Sequence, residues 1–314
     1  MLKKTIIFLI LASILIITGC STSNETQTNA QIGKKIKIVV SLFPQYDFAR
    51  QIGGDKVEVS MLLPLGIESH SYDPTPSDII KINNSNIFIY TGEYMESWTK
   101  RIIDGMDSES TLVLDVSENI ILSKPQDNNE EAKHDEDEHL FDPHIWTDPN
   151  NAKIMLDNIL VTLCKVDEKN ADYYKANADK YIGELTALDK EIRDIVANGT
   201  RREIVFGGKN AFHYFLKQYK IEYQGAYDSC STESEASTKV VARLIDEIKK
   251  ENTNVIYYEE LTTPKIAQSI SSETGVKMLL LHSCHNVSKD DFNNGATYLS
   301  LMKQNIQNLK EGLK

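Results

Sequence analysis

The sequence predicts an α/β protein of two pseudo-symmetric lobes, each a roughly four-stranded parallel sheet with flanking helices, joined by one long rigid helix. Three observations predict it. Short β-rich runs alternate with helical stretches from Lys34, the same rhythm returns from Arg201, and a long amphipathic stretch separates the two halves.

Ahead of the first lobe, MLKKTIIFLILASILIITGC sets Lys3 and Lys4 before an apolar run from Ile6 to Ile17. That run is too short to span a bilayer comfortably and reads as a signal peptide over residues 1–19. It closes on Ile17-Thr18-Gly19-Cys20, which resembles a bacterial lipobox and implies acylation of Cys20 as the mature N-terminus. The polar residues that follow make 20–33 a lipidated tether. The expected location is the outer face of a cell membrane, of the Gram-positive type, held by lipid.

The first lobe is expected over residues 34–165, from the runs KIKIVVS, KVEVSMLL, NIFIYT and TLVLDV. A linking helix is expected over 166–199. Its apolar residues Tyr174, Ala178, Tyr181, Leu185, Leu188, Ile192 and Ile195 recur at spacings of four and three, and Gly183 is the single internal breaker. A coiled-coil partner helix is the competing reading of that stripe. The second lobe, 200–314, carries EIVFG, KIEYQGAY, NVIYYE and VKMLLLH.

Composition limits the function. The chain of 314 residues is 41% hydrophobic and 25% charged, as in ordinary globular proteins. Its formal charge of -12 becomes -14 once a leader containing Lys3 and Lys4 is removed, which argues against nucleic acid and anionic lipid and for cations. Besides Cys20 there are three cysteines, too few for a disulfide scaffold, and Cys164 falls in an apolar helical pattern as a core residue.

Loops leaving the carboxyl ends of parallel strands converge on a crevice, so the chemistry belongs there. The second strand leads into LPLGIESHSYDPTPSD with His70; the fourth, after an acidic insertion, into FDPHIWTDPNNA with His144. The last strand runs into LLLHSCHNVS with His282, Cys284 and His285. Imidazoles and thiolates gathered on one cleft suit zinc and similar ions better than magnesium or calcium.

At these residues the sequence resembles the zinc- and manganese-binding solute-binding proteins of ABC transporters, the family called cluster A-I. The resemblance runs from about Lys35 through SLFPQYDFARQIGGDKVEV, SHSYDPTPSD, DPHIWTDP, AFHYFLKQY and YLSLMKQNIQNL. It implies metal ligation by His70 and His144, a site between two lobes, and little hinge closure. The family's third histidine falls at Lys209, whose ammonium cannot ligate while protonated. His213, one turn on, is an alternative ligand or a surface histidine against Tyr214. His282 is expected where the family carries an aspartate.

Cys230 in AYDSCSTESEAS and Cys284 are both expected at the cleft, either as zinc ligands or as a disulfide with each other. His285 is a further candidate. The acidic run DNNEEAKHDEDEH, with His134 and His139, reads as a solvated loop or as a metal-gathering one.

The expectation is therefore a monomeric, high-affinity zinc receptor that delivers its ion to an ABC permease without catalysis. Zn2+ is preferred to Mn2+ because His282 supplies nitrogen. A manganese receptor, a surface adhesin and a zinc hydrolase are the rivals. The last lacks an HExxH motif, and Glu68 and Glu259 are the carboxylates left to consider as its base.

Overall fold

A computed structural model describes residues 34–106, 111–124, 141–227 and 236–314. Cys20, His134, His139 and Cys230 lie outside the described residues, so the expectations placed on them stay with the sequence.

The first lobe opens with β1 (Ile36–Val40), α1 (Phe43–Gly53), β2 (Val57–Met61) and α2 (Pro76–Asn83). It continues with β3 (Ile87–Tyr90), α3 (Thr99–Ile103) and β4 (Leu112–Asp115). Helices α4 (Pro149–Val166) and α5 (Ala171–Asn198) follow. The second lobe contains β5 (Glu203–Phe206), α6 (His213–Tyr219), β6 (Glu222–Gly225), α7 (Thr238–Glu251), β7 (Val255–Tyr258), α8 (Lys265–Thr274) and β8 (Lys277–Leu280). Helices α9 (Lys289–Asn293) and α10 (Tyr298–Gly312) close the chain.

Each lobe has one four-stranded sheet, in the orders β2-β1-β3-β4 and β6-β5-β7-β8. All pairings are parallel, and the two orders correspond strand for strand. The central strands are apolar because helices cover both faces: Ile38, Val39 and Val40 in β1 and Ile87, Phe88 and Ile89 in β3 are buried.

Several polar pieces of the motifs act as helix caps. Thr75 Oγ1 accepts from Asp78 N while Asp78 Oδ2 accepts from Thr75 N, with Pro76 just inside the helix. In the same way Asp148 accepts from Asn150 N at 2.9 Å and Pro149 starts α4. These caps fix where the loops bearing His70 and His144 end.

The linking helix is α5, about 42 Å long at 1.5 Å per residue, preceded by a short 3-10 turn at Glu168–Asn170. Helix α5 follows the first lobe and leads into the second, and it also packs along α4. The stripe ends on Val196, with Ile195 only half-buried, because a 3.6-residue period drifts off a strict four-three pattern.

One hydrophobic core runs through both lobes and α5, taking in Phe48, Tyr181, Phe206, Leu281 and Tyr298. Phe48 meets Tyr181 and Tyr298 edge-on, at 6.0 and 5.1 Å between ring centroids. Buried Asp47 accepts from Tyr181 Oη (2.8 Å) and Tyr298 N (2.9 Å), so α1, α5 and α10 share one carboxylate. The seam between the lobes is hydrogen-bonded as well. Gly66 N donates to Val287 O, Asn286 Nδ2 to Pro64 O and Ile67 O, and Trp146 Nε1 to Ser283 O, all within 2.9 Å.

Behind the first sheet's carboxyl edge, Glu96 is 3% exposed. Its partners are Ser41 Oγ and Thr91 N, and Ser41 Oγ reaches on to Gln45 Oε1. Burial outweighs these bonds and pushes its carboxyl up to about 8.

Candidate metal centre

His70 lies on the loop after β2, where Glu68 Oε2 accepts from the backbone of His70 at 2.9 Å and of Ser71 at 3.3 Å. His144 follows β4 and is 2% exposed. Asp142 Oδ1 takes both its backbone N–H (2.9 Å) and its Nδ1 (3.0 Å). That contact places the ring proton on Nδ1 and leaves the Nε2 lone pair facing outward. It faces His70 Nε2 across 3.2 Å. Two nitrogens bound at about 2.0–2.1 Å to one tetrahedral ion stand roughly 3.3 Å apart, so this pair already has the spacing of two zinc ligands.

The second lobe presents its groups differently. After β8 the chain is gripped by Asn305, whose Oδ1 accepts from His282 N and whose Nδ2 donates to His282 O, each at 2.7 Å. His282 is 3% exposed, and its Nδ1 accepts the Cys284 N–H at 2.9 Å. With Nδ1 an acceptor, the neutral ring carries its proton on Nε2, the reverse of the tautomer that frees Nε2 for a metal.

Cys284 is a free thiol buried in the core rather than at the cleft, a correction to the expectation from its loop. Its backbone is left-handed, φ 66°, which turns the side chain inward. Burial pushes the thiol well above its usual range.

His285 carries the mark of a ligand. Its Nδ1 lies 3.0 Å from Glu260 Oε1 and 2.6 Å from Ser283 Oγ, while its Nε2 is buried without a hydrogen-bond partner. Burial opposes the charge on His285, but Glu260, then Glu68 and Glu259, outweigh it and raise its pKa above the ordinary value. Glu260 in turn accepts from Ser283 N (2.8 Å) and Ser283 Oγ (2.6 Å). Burial alone would raise this carboxyl; the imidazoles of His282 and His285 and the Ser283 hydroxyl hold it well below the usual range.

His213 is buried at 8% exposure, not on the surface. It packs on Tyr214 as expected (5.4 Å between ring centroids), yet its Nε2 is 2.9 Å from Ser123 Oγ of the first lobe. Tyr214 Oη donates to Asp142 O at 2.8 Å, so this helix start buttresses the His144 loop. Cys164 is partly buried against the main core.

Among the described residues no three His, Cys, Asp or Glu side chains are gathered tightly enough to hold a metal ion. The first lobe brings two donors together; the second holds its donors singly. Sequence reasoning missed Asp142 and Glu260, the carboxylates behind the imidazoles. The Asp-Pro-His string was the available signal for the first, while nothing local pointed to the second.

The family described as "ZnuA: Zinc-uptake complex component A periplasmic" matches residues 38–312. The chain is 33% identical over 310 residues to the high-affinity zinc uptake system protein ZnuA of Bacillus subtilis, covering 98% of this chain and 97% of that one. It is 30% identical to the zinc-binding lipoprotein AdcA of Streptococcus pneumoniae, over 97% of this chain but 60% of the longer relative. The crystal structure of the metal-dependent lipoprotein YcdH of Bacillus subtilis superposes with a TM-score of 0.78 at 32% identity, covering 89% of this chain and all of that one.

Proposed function

The chain belongs to the ZnuA family of zinc-uptake components, and on that premise we propose that it is the extracytoplasmic zinc receptor of an ABC importer. The ion is its cargo, held between the lobes by Nε2 of His70, His144 and His285 and passed to a membrane permease. The observation that carries this reading is the 3.2 Å approach of two Nε2 atoms, one of them backed by a carboxylate.

His285 replaces His282 in this reading, because its Nδ1 is the hydrogen-bonded end and its Nε2 is the open one. Three nitrogens favour zinc over manganese. A lipid on Cys20 would keep the receptor beside its permease. The chain carries out no catalysis in this role.

The test is metal content and calorimetric titration of the mature protein. One zinc per chain is expected. His70→Ala, His144→Ala and His285→Ala should each weaken binding by more than about 100-fold, beyond the loss that follows removal of an outer partner, while His282→Ala should act mainly on stability. Parent-like binding by both His70→Ala and His144→Ala would overturn the site.

A further inference from the structure

We propose that Glu259 is a direct ligand from the second lobe, supplying through Oε2 the donor that Lys209 cannot. This rests on the zinc-receptor reading above and completes its ligand set as three nitrogens and one carboxylate oxygen.

Two buried side-chain atoms among the described residues have no hydrogen-bond partner, His285 Nε2 and Glu259 Oε2. Such atoms are rare in folded proteins and call for an explanation. Both sit on loops at the carboxyl ends of neighbouring strands, Glu259 directly after β7 and His285 after β8. Their charges also act on each other. One cation between them would satisfy both.

The position of the carboxylate fits the same account. A Cβ added at Gly208 would fall on top of Glu259 Oε2, so this oxygen lies directly over the backbone of the Gly208-Lys209 segment. The Lys209 amide and the Thr262 hydroxyl also bond the carboxylate. Resemblance to the family puts a histidine at position 209; here the side chain is lysine, and a carboxylate oxygen occupies the space beside it. Glycine at 208 leaves the room that Glu259 takes.

A carboxylate in the set has a consequence for selectivity. Oxygen suits manganese better than imidazole does, so this receptor should separate zinc from manganese less sharply than an all-nitrogen site would.

The test compares parent, Glu259→Gln, Lys209→His and the double variant as full mature chains. Zinc and manganese affinities are measured by competition titration, and the visible spectrum of the Co2+-loaded protein reports ligand number and type. Glu259→Gln should weaken zinc binding by more than about 100-fold, beyond the loss that follows removal of an outer partner, and alter the Co2+ bands, and Lys209→His should restore most of the loss in the double variant while widening the zinc-to-manganese ratio. Unchanged affinity and spectrum in Glu259→Gln, with His70→Ala still defective, would overturn the proposal and leave the zinc-receptor reading standing. Parent-like binding in His70→Ala as well would remove that reading too. The metal-free Glu259→Gln protein should melt no lower than the parent; a lower melting point that accounts for the binding loss would make Glu259 structural and also overturn the proposal.

Discussion

Strands β3 and β7 occupy the same place in their two sheets, and each is followed by a deeply buried glutamate. Glu96 follows β3 among hydroxyls and an amide, and burial keeps it protonated up to about pH 8. Glu260 follows β7 between two imidazoles and Ser283, and stays ionised despite equal burial. Position in the fold thus sets burial, and neighbours set charge. The first lobe keeps its buried acid among Ser41 and Thr91 and places a different carboxylate, Asp142, on His144. The second places its fixed negative charge beside both His282 and His285.

Removing the carboxylates behind the imidazoles would break the comparison most forcefully. Asp142→Asn should weaken zinc by about 10- to 100-fold with little change in metal-free stability. Glu260→Gln should weaken zinc by a similar factor and also lower metal-free stability by about 3 kcal/mol, because it removes one partner of a buried charged pair. Equal stability loss in both, read from urea unfolding, would show that the lobes do not differ in this way.

A smaller effect on binding is expected at Cys284. Cys284→Gly should keep zinc affinity within a few-fold, since glycine accepts φ 66° without strain. Cys284→Val should cost about 1–3 kcal/mol through crowding of a closed core and displace His285. A valine variant as stable and as tight as the parent would disprove the role given to that turn.

The smallest effect on binding, none, is expected from Glu96→Gln, which sharpens the contrast through pH alone. An acid whose folded pKa lies near 8 against an ordinary 4.5 makes stability fall as pH rises through that interval. Glu96→Gln should flatten this slope and leave stability below pH 4.5 unchanged. Glu260 has the opposite sign: its contribution is complete above its ordinary value of 4.5 and is lost as pH falls below it. Unfolding curves between about pH 2 and 9 would separate the two, and an unaltered slope in Glu96→Gln would refute the assignment.

The eight strands and the linking helix were legible because their signals are local, alternation of β-rich runs and a stripe of apolar side chains. The loops bearing His70 and His144 were legible for a similar reason, since proline and glycine mark them where strands end. The second lobe's donors were not. Cys284 is buried at a left-handed position, and cysteine carries no sequence signal for φ 66°. His213 read as a surface residue because its neighbour Ser123 is 90 positions away. Glu259 and Glu260 are adjacent and chemically alike, yet one has an unpartnered oxygen and the other is held by Ser283 N, Ser283 Oγ and His285 Nδ1, a difference made entirely by tertiary contacts.

The carboxylate of Asp47, shared by Tyr181 and the start of α10, ties three helices together. A body whose connecting helix is sealed into one continuous interior has no soft joint on which its halves could swing apart. On the receptor reading proposed above, release of the ion would fall to the short segment from His282 to Val287, which is largely buried and hydrogen-bonded along the seam. Unloading would then be a local event at one turn of chain, and its rate would follow the stiffness of that turn.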